Sequence, residues 1–248
     1  MITKWVMKVA EAVEALSADR RKNAVSKIVH ARLLATAINL RDDLDEQSKD
    51  RILRRWENVT FRIFGMMGYD SRTAVGDYVR LAWRVAQEGI DAEDIARAID
   101  DIGERFPIED AVKHLSEVDC YNGWQEELRY LLFRYEEHLA QADGRKSTNT
   151  QWNRIWQAVA AQSIEHIMPQ STGDEETVHR LGNLVLLPPG LNSQLGATAP
   201  KDKAAAYQKK AGGMLIVQEV VPQLPHWGER EIKAREKKII AWAKQEWA

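Results

Sequence analysis

Apolar residues in the first 140 positions return every three or four residues. Trp5, Val9, Val13 and Leu16 form one such stripe, and Ile52, Trp56, Val59 and Ile63 a second. Ile95, Ile99 and Ile102 form a third, and Leu128, Leu131, Leu132, Tyr135 and Leu139 a fourth. This period predicts helices that each bury one face. Asp91 and Ser71 precede stripes and are expected N-caps. Gly68, Gly89 and Pro107 mark helix limits. Most of the nine tryptophans lie on or near the stripes and are expected in the core.

The rhythm then changes. Residues 141–150, QADGRKSTNT, are polar and without period. They are the expected linker between a helical domain at 1–142 and a second domain at 150–248. QWNRIWQAVA predicts a short helix. SIEHIMPQ then places Glu165 and His166 in a short apolar segment, an expected strand. After a loop, Gly182 and Asn183 turn into a second apolar segment, NLVLL. Pro188, Pro189 and Gly190 follow, and Asn192 sits where a helix should begin. KDKAAAYQKKA predicts a helix ended by Gly212 and Gly213. LIVQEVV is a β-branched run stopped by Pro222, and the C-terminal WGEREIKAREKKIIAWAKQEWA predicts a charged closing helix.

Length and composition narrow the classes. The 248 residues suffice for one large domain or two modest ones. A single cysteine, Cys120, excludes an internal disulfide framework and a cysteine metal cluster. No apolar run approaches the roughly 18–20 residues that span a bilayer. The start, MITKWVMKVAEAVEAL, lacks the features of a signal peptide. A soluble, cytoplasmic protein is expected. Net charge is −2. Residues 145–248 carry 14 Lys+Arg against 10 Asp+Glu, whereas the preceding 144 residues carry 21 against 27. The sign favours phosphate contact in the C-terminal part.

Strand, loop, strand, helix, with His, Asn and Asn at the joints, is the plan of a ββα-metal (HNH-type) nuclease site. The expected fold is mainly α: an N-terminal helical bundle plus a small ββα-metal domain with flanking helices. In that plan His166 takes a proton from the attacking water, a role suited to a side chain with a reference pKa of about 6.5. Glu165 and the amide oxygen of Asn192 are hard donors that suit Mg²⁺ or Mn²⁺. Asn183 would brace the loop between the strands and keep His166 aimed. Lys203, and less surely Lys201, would meet DNA phosphates. A regular strand sends Glu165 and His166 to opposite faces. They share one substrate only if the strand bends or the metal lies at its edge.

Each residue also has an ordinary structural use. A histidine in an apolar strand can be a satisfied core residue, Gly182-Asn183 a plain turn, Asn192 a helix N-cap, and Lys201 and Lys203 a solvated face. The conjunction favours the nuclease. His179 lies in the loop and could touch phosphate. His30, His114, His138 and His226 have no partner pattern. The rival readings are a non-catalytic module that docks DNA or a partner subunit, and a helical interaction protein.

IEHIMPQ, HRLGNLVLL, LNSQL and KDKAAAY together resemble the HNH-type C-terminal domain of GmrSD-like defence nucleases, a type IV, modification-dependent restriction group. The likeness is specific over roughly residues 163–207. It implies that His166 is the catalytic histidine, Asn183 the middle asparagine and Asn192 the last residue of the triad. Glu165 matches the acidic position. Lys203 and Tyr207 match the trailing Lys and aromatic, which with Lys201 are expected at DNA. Family members commonly carry an aromatic shortly before that lysine, whereas here Pro200 stands nearby. The resemblance also implies a ParB-like, nucleotide-hydrolysing half. This chain has no GxxxxGK[ST], so that half is expected on another part of a larger protein or on a separate subunit.

Overall fold

The periodic stripes become helices in the computed structural model, which describes residues 2–145 and 149–248. The chain is mainly helical. It forms two compact units, Met1–His114 with Lys244–Ala248, and Leu115–Ala243.

The helices that begin in the first unit are α1 (Ile2–Ala18), α2 (Arg20–Val25), α3 (Val29–Asn39), α4 (Glu46–Thr60), α5 (Val75–Trp83), α6 (Ala92–Glu104) and α7 (Ile108–Glu117). Leu34 and Ile38 of α3, Ile52 and Trp56 of α4, and Ile95 and Ile99 of α6 are its core. The Trp56 indole donates to Ala31 O at 2.8 Å, so its one polar atom is satisfied. Asp91 caps α6 through Asp94 N. Ser71 does not cap α5. That helix starts at Val75 behind Ala74, a non-glycine residue with φ 54°. Trp56, Trp152, Trp227, Trp242 and Trp247 are buried as expected, whereas Trp5 and Trp83 are exposed.

The second unit is built on α8 (Gln125–Ala142), which buries Leu128, Tyr130, Leu131, Leu132, Phe133 and Tyr135. Residues on nearly every side are buried, the mark of a helix inside a core. The sequence expected this helix in the N-terminal domain, and it packs in the second unit. Part of the expected linker, 146–148, lies outside the described residues. Then come α9 (Asn149–Gln157), β1 (Ile164–His166), α10 (Glu175–Val178), β2 (Leu184–Leu186), α11 (Leu191–Leu195), α12 (Pro200–Ala211), α13 (Leu215–Val220) and α14 (Glu229–Glu246). The β-branched run at 215–221 is helical, not extended. Its first amides, Leu215 N and Ile216 N, donate to the buried carboxylate of Glu136 on α8 at 2.9 and 2.7 Å. A cap supplied from another helix overrides local preference.

β1 and β2 are antiparallel, pairing Ile164 with Leu186, Glu165 with Val185 and His166 with Leu184. Leu187 N→Ser163 O (2.8 Å) and Ile167 N→Asn183 O (2.9 Å) extend the ladder. The turn into β2 needs Gly182 for a spatial reason. A Cβ there would stand 2.0 Å from Ile232 O, because α14 crosses directly over it. Gly182→Ala therefore forces α14 away. Overpacking of this kind costs about 1–3 kcal/mol or more. A lower urea midpoint with intact helical content is the expected result, and an unchanged midpoint would show that α14 yields freely.

Candidate active site

The short hairpin fixes which backbone groups need partners. In its register Ser163, Glu165 and Ile167 bond to β2, so the carbonyls of Ile164 and His166 face the other edge. Both strands are buried, and an unpaired buried carbonyl is costly. Side chains from the following helices supply the donors. Asn192 Nδ2 of α11 donates to Ile164 O at 2.6 Å. Lys203 Nζ of α12 donates to His166 O at 2.7 Å and to Ile167 O at 3.0 Å.

Lys203 also donates to Glu165 Oε1 at 2.6 Å, and its side chain is 0% exposed. The Tyr207 hydroxyl donates to the same oxygen at 3.4 Å and is equally buried. Burial pushes the Glu165 carboxyl up and the Lys203 ammonium down, and each partner pushes the other back. Three acceptors surround Nζ and match the three N–H donors of an ammonium. The ion pair is therefore the form the geometry accommodates. So enclosed, Lys203 and Tyr207 present no donor to a phosphate. Lys201 is exposed on α12.

Asn183 is fully buried and uses its whole amide. Its Oδ1 accepts from Met168 N at 2.7 Å and from Trp227 Nε1 at 3.1 Å. Its Nδ2 donates to Met168 O at 3.0 Å and Val178 O at 2.8 Å. These bonds tie the chain leaving β1 to the chain entering β2. Beneath the same turn, the buried guanidinium of Arg235 donates to Gly182 O at 2.9 Å and Leu184 O at 2.8 Å.

His166 ends β1. Its Nε2 lies 3.0 Å from His179 Nδ1, and its Nδ1 lies 3.1 Å from Gln170 Nε2. Tyr121 meets the His166 ring edge-on and stacks on His179. Burial first, then the neighbouring His179 and Lys203, lowers the His166 pKa to about 4, with Asp119 opposing. The ring is thus neutral at neutral pH, and each of its nitrogens has a partner.

Glu165 and His166 reach one cleft of about 360 Å³ despite pointing to opposite faces, because it opens where the strand ends. Pro169, Gln170 and Ser171 line it on one side, Asn192, Ser193, Gly196 and Ala197 on the other. Asn192 is not the N-cap of α11, whose cap is Gly190 in the left-handed region at φ 85°. With its nitrogen bound to β1, Asn192 keeps its amide oxygen for another partner. Glu165 commits one oxygen to Lys203. Among the described residues no group of three or more His, Cys, Asp and Glu could hold a metal ion. What Glu165 and Asn192 offer the cleft is oxygen, the donor type of hard cations.

Sequence reasoning missed several participants. Tyr121 comes from outside the motif, Trp227 and Arg235 act from the C-terminal segment, and Gln170 is the residue four after His166. Only Gln170 carried a local signal, its place in EHIMPQ.

The stretch of chain that carries this hairpin falls within a restriction-endonuclease family. Residues 107–242 match the family model of the GmrSD restriction endonucleases, C-terminal domain, and the chain belongs to that family. DNA is the substrate this membership implies. Searches of curated proteins and of solved structures return no match. No helix among the described residues is long and apolar enough to cross a membrane.

Two outcomes follow from the buried groups. Lys203→Ala leaves Glu165 buried and unpaired, a loss of about 3–5 kcal/mol. Chemical denaturation should show that loss, whereas a surface phosphate contact would leave stability unchanged. His166 has a folded pKa of about 4 against 6.5 unfolded. Its stability contribution is full above pH 6.5 and is lost as pH falls toward 4, because the unfolded chain takes up the proton first. The stability of the parent relative to His166→Gln should fall across that window. Parallel pH profiles would contradict the assignment.

Proposed function

We propose that the second unit is a ββα-metal (HNH-type) endonuclease that hydrolyses or nicks DNA, with His166 as general base. The observation that carries this is the single cleft shared by Glu165, His166 and Asn192 at the end of β1. Water attacks phosphorus and gives its proton to His166. The bond from phosphorus to the leaving oxygen breaks, and that oxygen takes up a proton from solvent water. Glu165 and Asn192 would hold Mg²⁺ or Mn²⁺, which would supply positive charge for the phosphoryl oxygens. Asn183 braces the loop through its backbone bonds. Lys203 and Tyr207 hold Glu165 in place, and Lys201 is the exposed lysine of α12 that can meet phosphate.

The modest positive charge of residues 145–248 implies loose DNA binding by this chain. A ParB-like nucleotide-hydrolysing half or subunit supplies targeting to foreign or modified DNA in a prokaryotic defence system. Supercoiled plasmid tests the chemistry directly. Cleavage should require Mg²⁺ or Mn²⁺, stop with EDTA, and fall roughly 10²–10⁴-fold in folded His166→Ala. Parent-like nicking by His166→Ala would remove His166 from the mechanism. DNA retention without turnover in either ion would make the unit a binding module instead.

A further inference from the structure

The loop between the strands brings a second histidine to the first. His179 Nδ1 is 3.0 Å from His166 Nε2, and the two rings meet at 78°. His179 is itself held on two sides. Its carbonyl accepts from Cys120 N at 3.0 Å, and its ring stacks on Tyr121 with centroids 5.5 Å apart and planes within 7°. Tyr121 also abuts the His166 ring at 4.5 Å. On the other side of His166, the amide nitrogen of Gln170 faces Nδ1 at 3.1 Å, and Gln170 lines the cleft.

An amide nitrogen only donates, so Nδ1 of His166 accepts. With neutral rings, filling both contacts then puts the proton of His166 on Nε2, donated to His179 Nδ1, and the proton of His179 on its own Nε2. The lone pair of His166 is left on Nδ1, the nitrogen in contact with Gln170 of the cleft wall. We infer that His179 is a positioning residue, which acts with Gln170 to hold His166 in its Nε2–H tautomer, so that a water replacing the Gln170 amide meets the Nδ1 lone pair, with Tyr121 steadying the His179 ring. This role rests on the reading of His166 as general base. Without His179, only the Gln170 contact, which an arriving water must displace, selects between the two tautomers, and only one of them has its lone pair on Nδ1.

Nitrogen-15 spectra of the full chain labelled at its six histidines read the tautomer without any turnover. Signals of His166 are identified by their loss in His166→Gln. The parent at mildly alkaline pH should show His166 with Nδ1 unprotonated. His179→Ala should give a mixture of tautomers. His179→Asn, whose side-chain oxygen can accept in place of Nδ1, should restore the parent pattern. Tyr121→Leu keeps His179 and should shift the mixture less. In plasmid cleavage, His179→Ala should lower kcat roughly 10–100-fold with KM little changed, and His179→Asn should recover most of it. A parent His166 protonated on Nδ1, or an identical tautomer in His179→Ala and parent, would overturn the inference. A parent chain that does not cut DNA while its spectra show the expected tautomers would overturn the nuclease reading and leave the positioning contact standing.

Discussion

The carbonyls on the unpaired edge of β1 are the constraint on which the site depends. A three-residue strand with one neighbour leaves Ile164 O and His166 O without a ladder, inside the protein. The helices that follow must therefore deliver donors to that edge. Asn192 and Lys203 do so, and their positions in sequence become positions around one strand end. Of these two, Asn192 also lines the cleft, and Lys203 lies buried against Glu165, which lines it. Lost edge bonds would leave backbone groups unsatisfied in an interior of low dielectric, where each costs more than in water.

The turn on the opposite side of the hairpin is held as tightly by different means. Asn183 ties Met168 to Val178 and accepts from Trp227, so three separate chain segments meet at one amide. Gly182 lets the backbone of α14 come within contact distance, and Arg235 of α14 then reaches the carbonyls around it. Arg180 and Glu236 add an ion pair between the loop and the same helix. The Gly-Asn pair is thus less a hairpin turn than a docking point for the C-terminal helix.

Much of this was legible in the sequence. Period 3–4 stripes located the helices. NLVLL located β2 to within a residue at each end, whereas SIEHIMPQ contains β1 but the strand stops at His166, four residues before the segment does. Asn183 was expected to bond the backbone between the strands, and it accepts from Met168 N and donates to Met168 O and Val178 O. Lys203 was misread because a lysine in an otherwise polar helix start looks solvated. Only the fold shows that its face of α12 covers β1. The run LIVQEVV likewise depends on Glu136, which lies 79 residues before Leu215. Ser71 looked like a cap because its residue type is right, but the helix begins four residues later. The Lys203 and LIVQEVV errors share a cause: the deciding partner lies on a distant segment.

The buried pair also bears on how the proposed cleft could accept a phosphate. A lone carboxylate at its wall would repel the anion, and near a low-dielectric surface like charges about 4 Å apart oppose each other by several kcal/mol. Lys203, 2.6 Å from Glu165, cancels that charge from behind while leaving the second oxygen uncommitted to it. Removing the ammonium altogether would favour protonation of Glu165, since burial already pushes its carboxyl up. A protonated acid is a poor donor to a hard cation. In the proposed reading the same lysine would favour the ionised form of Glu165 and reduce its repulsion of a phosphate, while closing the edge of β1. A cation on the cleft surface could do the second of these, but not the first and third together.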